Sequence, residues 1–133
     1  MTLTTHDTRF DDPDAATIAK VLASLDGDRN VVATLERAEA AYLQAECSHP
    51  TAFVLEYQDG VIERRYRSRG AALPLGPVTD IFLAYARSDA GWNHDVEWEH
   101  VPYVPAKIPW FSTWWGYVVL LIAVALLIRW WRG

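Results

Sequence analysis

The feature that most constrains this chain is a continuous apolar stretch near its C-terminus, residues 108–128. The stretch contains no ionisable side chain except the phenol of Tyr117, and it is wholly aliphatic from Val118 onward. A helix of this length would span about 31 Å, which matches the roughly 30 Å hydrocarbon layer of a bilayer. The sequence therefore predicts one transmembrane helix. The alternative, a helix buried in a soluble core, would normally show a polar stripe facing water.

Aromatic residues lie at both ends of the stretch and two arginines lie at its C-terminal end, as is typical of residues at lipid-headgroup depth. The predicted membrane-interface residues are Trp110, Trp114, Trp115, Tyr117, Arg129, Trp130, Trp131 and Arg132. A short basic tail, residues 129–133, follows the span. Its arginines favour a cytoplasmic C-terminus, but the N-terminus has no signal-peptide pattern. We therefore expect a single-pass, tail-anchored topology with the soluble domain in the cytoplasm.

The remainder of the chain is acidic. All 17 acidic residues precede residue 101, whereas Lys107, Arg129 and Arg132 are the three of the 12 basic residues that lie beyond it. Residues 1–101 therefore carry a formal charge of −8, which argues against a nucleic-acid partner because phosphate binding needs a basic face. The single cysteine, Cys47, cannot form an intramolecular disulfide or a cysteine-based metal cluster.

Residues 1–101 predict a small α+β domain with an antiparallel sheet and two helices, joined to the span by a proline-rich spacer at 102–107. Helical spacing of apolar residues between Asp12 and Asp28 predicts the first helix. A similar pattern from Val78 to Tyr85, with Pro77 in the first turn, predicts the second. Short strands are expected at residues 31–36, 41–46 and 95–101, with another at 3–10.

Residues 52–66 predict a β-hairpin. Asp59 and Gly60 fit a two-residue turn between two strand-like runs. In that register Tyr57 lies opposite Ile62 and Phe53 opposite Tyr66, which places apolar side chains on one face.

Two charged patterns are candidate partner-binding groups. Alternation along a strand places Arg65 and Arg67 on one face, where they are suited to binding a phosphate or carboxylate; a solvated edge strand is the alternative. The second pattern is Asp95, Glu97 and Glu99, which would project from one face of the last strand. Three carboxylates in a row would fit a basic cleft on a partner, or they would pair with the arginines or face water.

Trp92 follows a glycine in a predicted loop and is a candidate interface anchor, with packing in the core as the alternative. The four histidines show no metal-ligand spacing, and neither a catalytic constellation nor a phosphate-binding glycine loop is recognisable. We therefore predict no catalytic residues, no metal and no cofactor, and we expect a protein that is not an enzyme.

The order of segments resembles the small α+β immunity proteins of bacterial polymorphic-toxin systems. The resemblance covers residues 14–101 and is carried by the aspartate-glycine strand segment at 53–60, the helix at 80–85 and the acidic tryptophan strand at 96–99. It implies a non-enzymatic protein that neutralises a toxin by occluding it, here at the bacterial inner (cell) membrane. The alternative is an accessory or structural subunit of a membrane protein complex. Both interpretations imply a protein partner in addition to membrane lipid.

Overall fold

The computed structural model describes residues 1–105, which form seven strands and two helices. The elements are β1 Thr2–Thr4, β2 Arg9–Asp11, α1 Ala15–Ala23, β3 Val32–Ala38, β4 Ala41–His49, β5 Ala52–Asp59, β6 Val61–Ser68, α2 Leu75–Ala86 and β7 Trp98–His100. The strands form one sheet in the order β2-β1-β3-β4-β5-β6-β7, and every neighbouring pair is antiparallel. The small α+β domain with an antiparallel sheet and two helices is confirmed.

The predicted membrane helix at 108–128 lies outside the described residues. Within residues 1–105, no helix is both long enough and apolar enough to cross a bilayer.

Both helices pack on the same face of the sheet. Strand alternation directs Leu3, Leu35 and Leu43 to this face, where the register places them in one row across β1, β3 and β4. The helices contribute Ile18, Val21 and Leu22 from α1 and Val78, Ile81, Phe82 and Tyr85 from α2. All of these side chains belong to one buried cluster. Removal of this apolar surface from water is the main stabilising term for the domain.

Two aspartates stabilise the start of α1 and the loop that follows it. Asp14 is the N-cap of α1, and its Oδ1 accepts a hydrogen bond from the Thr17 backbone N–H at 2.7 Å. After the helix, one carboxylate oxygen of Asp26 accepts from the backbone N–H groups of Asp28, Arg29 and Asn30 at 2.9, 3.0 and 2.9 Å. These bonds fix the connection to β3 because they satisfy three consecutive donors of the loop.

The hairpin register predicted from the sequence is wrong. Tyr57 lies opposite Tyr66, not Ile62, and the register shifts between Gln58 and Asp59. Tyr57 and Tyr66 stack on the helix-covered face, with ring centroids 4.9 Å apart and planes at 21°. An irregular turn with Gly60 at φ +79° accommodates the extra residues of β6. Cross-strand aromatic packing therefore determines the register, and the ideal two-residue turn does not form.

Two predicted strands are also shorter than expected. The segment 3–10 is divided into β1 and β2 by a turn in which the Thr5 N–H donates to the Thr8 carbonyl at 2.8 Å. The last strand begins only at Trp98, because the preceding residues form turns. The indole Nε1 of Trp98 donates to the Asn93 carbonyl at 2.8 Å and holds that turn segment against the sheet.

Candidate partner-binding surfaces

The second face of the sheet, here called the open face, is covered by neither of the two described helices. Strand register places one row of polar residues across it from β1 to β7. The row consists of Thr4, Thr34, Gln44, Glu56, Arg67 and Glu99. A sheet with one face packed and one polar face is the usual antiparallel pattern.

A carboxylate lies at the centre of the open face. Glu56 is only 7% exposed, and among the described residues it is the one charged side chain that is buried. Arg65 binds it with two hydrogen bonds, Nε to Oε1 at 2.8 Å and Nη2 to Oε2 at 3.2 Å. The Tyr42 hydroxyl also donates to Oε1, at 3.1 Å. Both carboxylate oxygens are therefore satisfied, as a buried charge requires.

These contacts change the acidity of the neighbouring groups. The hydrogen bonds to Glu56 raise the pKa of Arg65 above its ordinary value. Burial raises the pKa of the Tyr42 phenol, and the negative charge of Glu56 adds to that effect. Arg65 therefore stays charged and Tyr42 stays neutral as a donor at any physiological pH.

Arg67 extends the network to the solvent side. Its Nη1 lies 4.0 Å from Oε2 of Glu56, and its Nη2 lies 3.6 Å from Oε2 of Glu46. The side chains of Arg67 and Glu46 are about half exposed, at 47% and 48%. Arg65 and Arg67 do share one face, as the sequence predicts. Arg65 is occupied by an internal carboxylate, whereas part of the Arg67 guanidinium reaches solvent.

The three acidic candidates do not form the predicted row. Asp95 lies in a turn, Glu97 precedes β7, and only Glu99 belongs to the strand. Glu99 lies opposite Arg67 on the open face, and the Glu97 carbonyl accepts from the Arg69 N–H at 2.8 Å. The alternation of acidic and bulky residues predicted a long strand, but Asp95 lies in the turn at residues 91–95, and a bend at Val96 separates it from the other two.

Trp92 is half buried in an aromatic cluster. Its ring meets Tyr57 at 5.0 Å and Tyr85 at 4.8 Å, both edge to face, and lies 6.0 Å from Trp98. Burial raises the pKa of both tyrosine phenols. Trp92 therefore packs against the core, which is the alternative that the sequence left open, while part of it remains at the surface.

A groove of about 390 Å³ runs between α2 and the turn segment before β7. One helix stripe forms the first wall, with Pro77, Asp80, Ile81, Ala84 and Arg87 at helical spacing, and Trp92, Asp95 and Val96 form the second. The groove brings together two of the predicted partner-binding residues, Trp92 and Asp95. Glu99, Arg65 and Arg67 lie instead on the open face.

Sequence reasoning missed Glu56 as the centre of the open face. The available signal was a carboxylate within the apolar strand segment 53–57, where an unpaired charge would be costly. The sequence does not predict the partner of Glu56, because Arg65 reaches this carboxylate only in the strand register that the tertiary structure selects.

Within residues 1–105, no three His, Cys, Asp or Glu side chains are grouped so that they would hold a metal ion. Cys47 is buried, and burial raises the pKa of its thiol, which disfavours the reactive thiolate.

Comparison with protein-family models, curated proteins and solved structures gives no match to this chain.

Proposed function

We propose that this chain is a membrane-anchored, non-enzymatic binding protein whose protein partner docks on the open face of the sheet. The observation that supports the proposal is the network around Glu56, which binds Arg65 through two hydrogen bonds and draws Arg67 to within 4.0 Å, on a face that the two described helices leave uncovered. Charges held in place before binding lose little side-chain entropy on association, which favours specific recognition.

The chemistry of the partner follows from the charge of the domain. Residues 1–101 carry −8, and Glu46 and Glu99 flank Arg67 on the open face. A basic protein surface with a carboxylate at its centre would complement this pattern: its carboxylate would face Arg67 and its basic residues would face Glu46 and Glu99. Such complementarity accelerates association and discriminates between partners. A toxin neutralised by occlusion, as the resemblance to immunity proteins implies, is the partner that we propose.

Co-purification of the full-length chain tests this function. The protein is extracted from its native membrane in mild non-ionic detergent, and bound proteins are identified by mass spectrometry. We expect one basic, toxin-like protein in a defined ratio. Recovery of a stable multi-helix membrane assembly would instead support the accessory-subunit alternative and contradict the immunity proposal.

Charge reversal then tests the surface. The double variant R67E and E99R reverses both exposed charges of the central row and keeps the residues Glu56 and Arg65. We expect partner recovery to fall at least about tenfold, because several kcal/mol can be lost when like charges face each other. The matched control K20E reverses a basic residue that is also exposed but lies on α1, on the helix side of the sheet. Unchanged recovery by the double variant, with a normal circular dichroism spectrum, would exclude the open face as the docking surface.

A further inference from the structure

We infer that the groove between α2 and the turn segment before β7 is a second docking site, and that it binds an extended protein segment in which one lysine or arginine is flanked by apolar residues. This site lies on the helix side of the domain and does not depend on the proposed function of the open face. The apolar lining of the groove selects the apolar part of the bound segment, and the charge of the groove selects its cation.

Four apolar side chains form one part of the groove lining, here called the apolar floor, and they favour an apolar contact. Leu73, Ile81, Trp92 and Val96 line it, and Ile81 and Trp92 also belong to the core or pack against it. The groove is therefore anchored to the rigid part of the domain. A volume of about 390 Å³ lies within the range of small-ligand and side-chain pockets.

Each wall contains one aspartate. Asp80 lies on α2 and Asp95 lies in the turn segment, and both residues are exposed. Neither carboxylate has an ion-pair partner within residues 1–105. The arginine at the end of the groove, Arg87, is held by Asp89 through two contacts of 2.9 Å. Arg87 therefore already has an acidic partner, and the two aspartates remain available.

Charge complementarity therefore selects a cation, and the apolar floor selects a long aliphatic stem. A lysine or arginine side chain combines both properties, because its methylene stem packs on apolar surface while its charged end reaches the carboxylates. The exposed part of Trp92 adds an aromatic surface on which a cation is stabilised. Apolar neighbours in the segment would cover Ile81 and Val96.

The test uses the full chain labelled with 15N at its tryptophan side chains, in non-ionic detergent. The probe is a short peptide with leucine, lysine and leucine at its centre, and the comparison peptide carries N-acetyl-lysine, which keeps the stem and removes the charge. The indole N–H signal of Trp92, assigned with W92F, reports binding. We expect the lysine peptide to shift this signal and to bind about tenfold more tightly than the acetylated peptide, with a preference that weakens at high salt.

The double variant D80N and D95N keeps the shape of both side chains and removes their charge. It should reduce the preference for the lysine peptide to about twofold or less. E39Q is the matched control, since it removes one exposed carboxylate from the turn between β3 and β4, outside both proposed surfaces, and should leave the preference unchanged. Equal binding of the two peptides, no movement of the Trp92 signal, or an equal loss in E39Q would each overturn the inference. Because R67E and E99R do not alter the groove, failure here and failure of the open-face proposal are distinguishable.

Discussion

Arg65 binds Glu56 diagonally across β5 and β6, although Arg67 is the residue directly opposite Glu56 in the strand register. The diagonal arginine makes two hydrogen bonds, at 2.8 and 3.2 Å, whereas the nearest Arg67 nitrogen lies 4.0 Å away. The two arginines consequently have different roles. Arg65 neutralises a buried carboxylate, and Arg67 links that carboxylate to the solvent-exposed edge of the network.

Replacing Arg65 with methionine should destabilise the domain. The substitution keeps an aliphatic stem of similar length. It removes the guanidinium that makes two hydrogen bonds to Glu56, whose side chain is only 10% exposed. Since the Arg65 side chain is 38% exposed, solvent screens part of the loss, and we expect about 1–2 kcal/mol. Thermal unfolding followed by circular dichroism measures the change.

Arg64 supplies the control for that variant. It forms a longer contact of 3.8 Å to Asp59, and both side chains are about two-thirds exposed. R64M should therefore cost no more than about 0.5 kcal/mol. Equal destabilisation by R65M and R64M would show that the Glu56 pair has no special contribution to stability.

Removal of the α1 cap should loosen the start of that helix. In D14A the Thr17 backbone N–H loses its 2.7 Å acceptor, and the melting temperature should fall by about 4 °C. D14N retains a side-chain oxygen that accepts the same bond, so its melting temperature should stay within about 1–2 °C of the original. If D14N lost as much as D14A, the carboxylate charge and not the hydrogen bond would be the stabilising feature.

Stability should fall in acid. Hydrogen bonds from Thr17 lower the pKa of Asp14, and the backbone N–H groups of Asn30, Asp28 and Arg29 lower the pKa of Asp26, both from the ordinary value of 3.8. A carboxyl group with a lowered folded-state pKa contributes stability above its unfolded-state pKa, and this contribution disappears as the pH falls through the folded-state value.

The melting temperature should consequently be steady near neutral pH and should decrease below about pH 4. In D26N the side chain still accepts hydrogen bonds but no longer titrates, so the decrease should be shallower. Melting curves over this pH range compare the original chain with D26N. A slope that is identical in the two proteins would assign the acid sensitivity to other carboxylates.

Gly27 and Gly60 form a matched pair for backbone strain. Both have positive φ, at +76° and +79°, but a Cβ on Gly27 would lie 2.8 Å from the Ser48 backbone, whereas the space around Gly60 is open. G60A should cost about 1 kcal/mol from the left-handed conformation alone. G27A adds a contact that only backbone movement can relieve, so we expect it to cost at least about 2 kcal/mol more. Chemical denaturation measures the free energy of unfolding of both variants. Equal losses would show that the backbone around Ser48 moves aside with little loss of stability.

Local patterns in the sequence determined the two helices, most of the strands and the antiparallel α+β class, because each depends on residues a few positions apart. The apolar stretch 108–128 remains a sequence prediction of a membrane helix. Helical spacing also placed Asp80 and Ile81 on α2, although it did not indicate what α2 faces across the groove.

Only the tertiary structure decided the hairpin register, the partner of Glu56 and the position of Asp95. The stacking of Tyr57 on Tyr66 prevailed over the ideal turn at Asp59 and Gly60, and this choice brought Arg65 within reach of Glu56. The physical reason is that these contacts join separate strands and turns. Their energies depend on packing between elements, and a pattern of nearest neighbours along the chain does not contain that information.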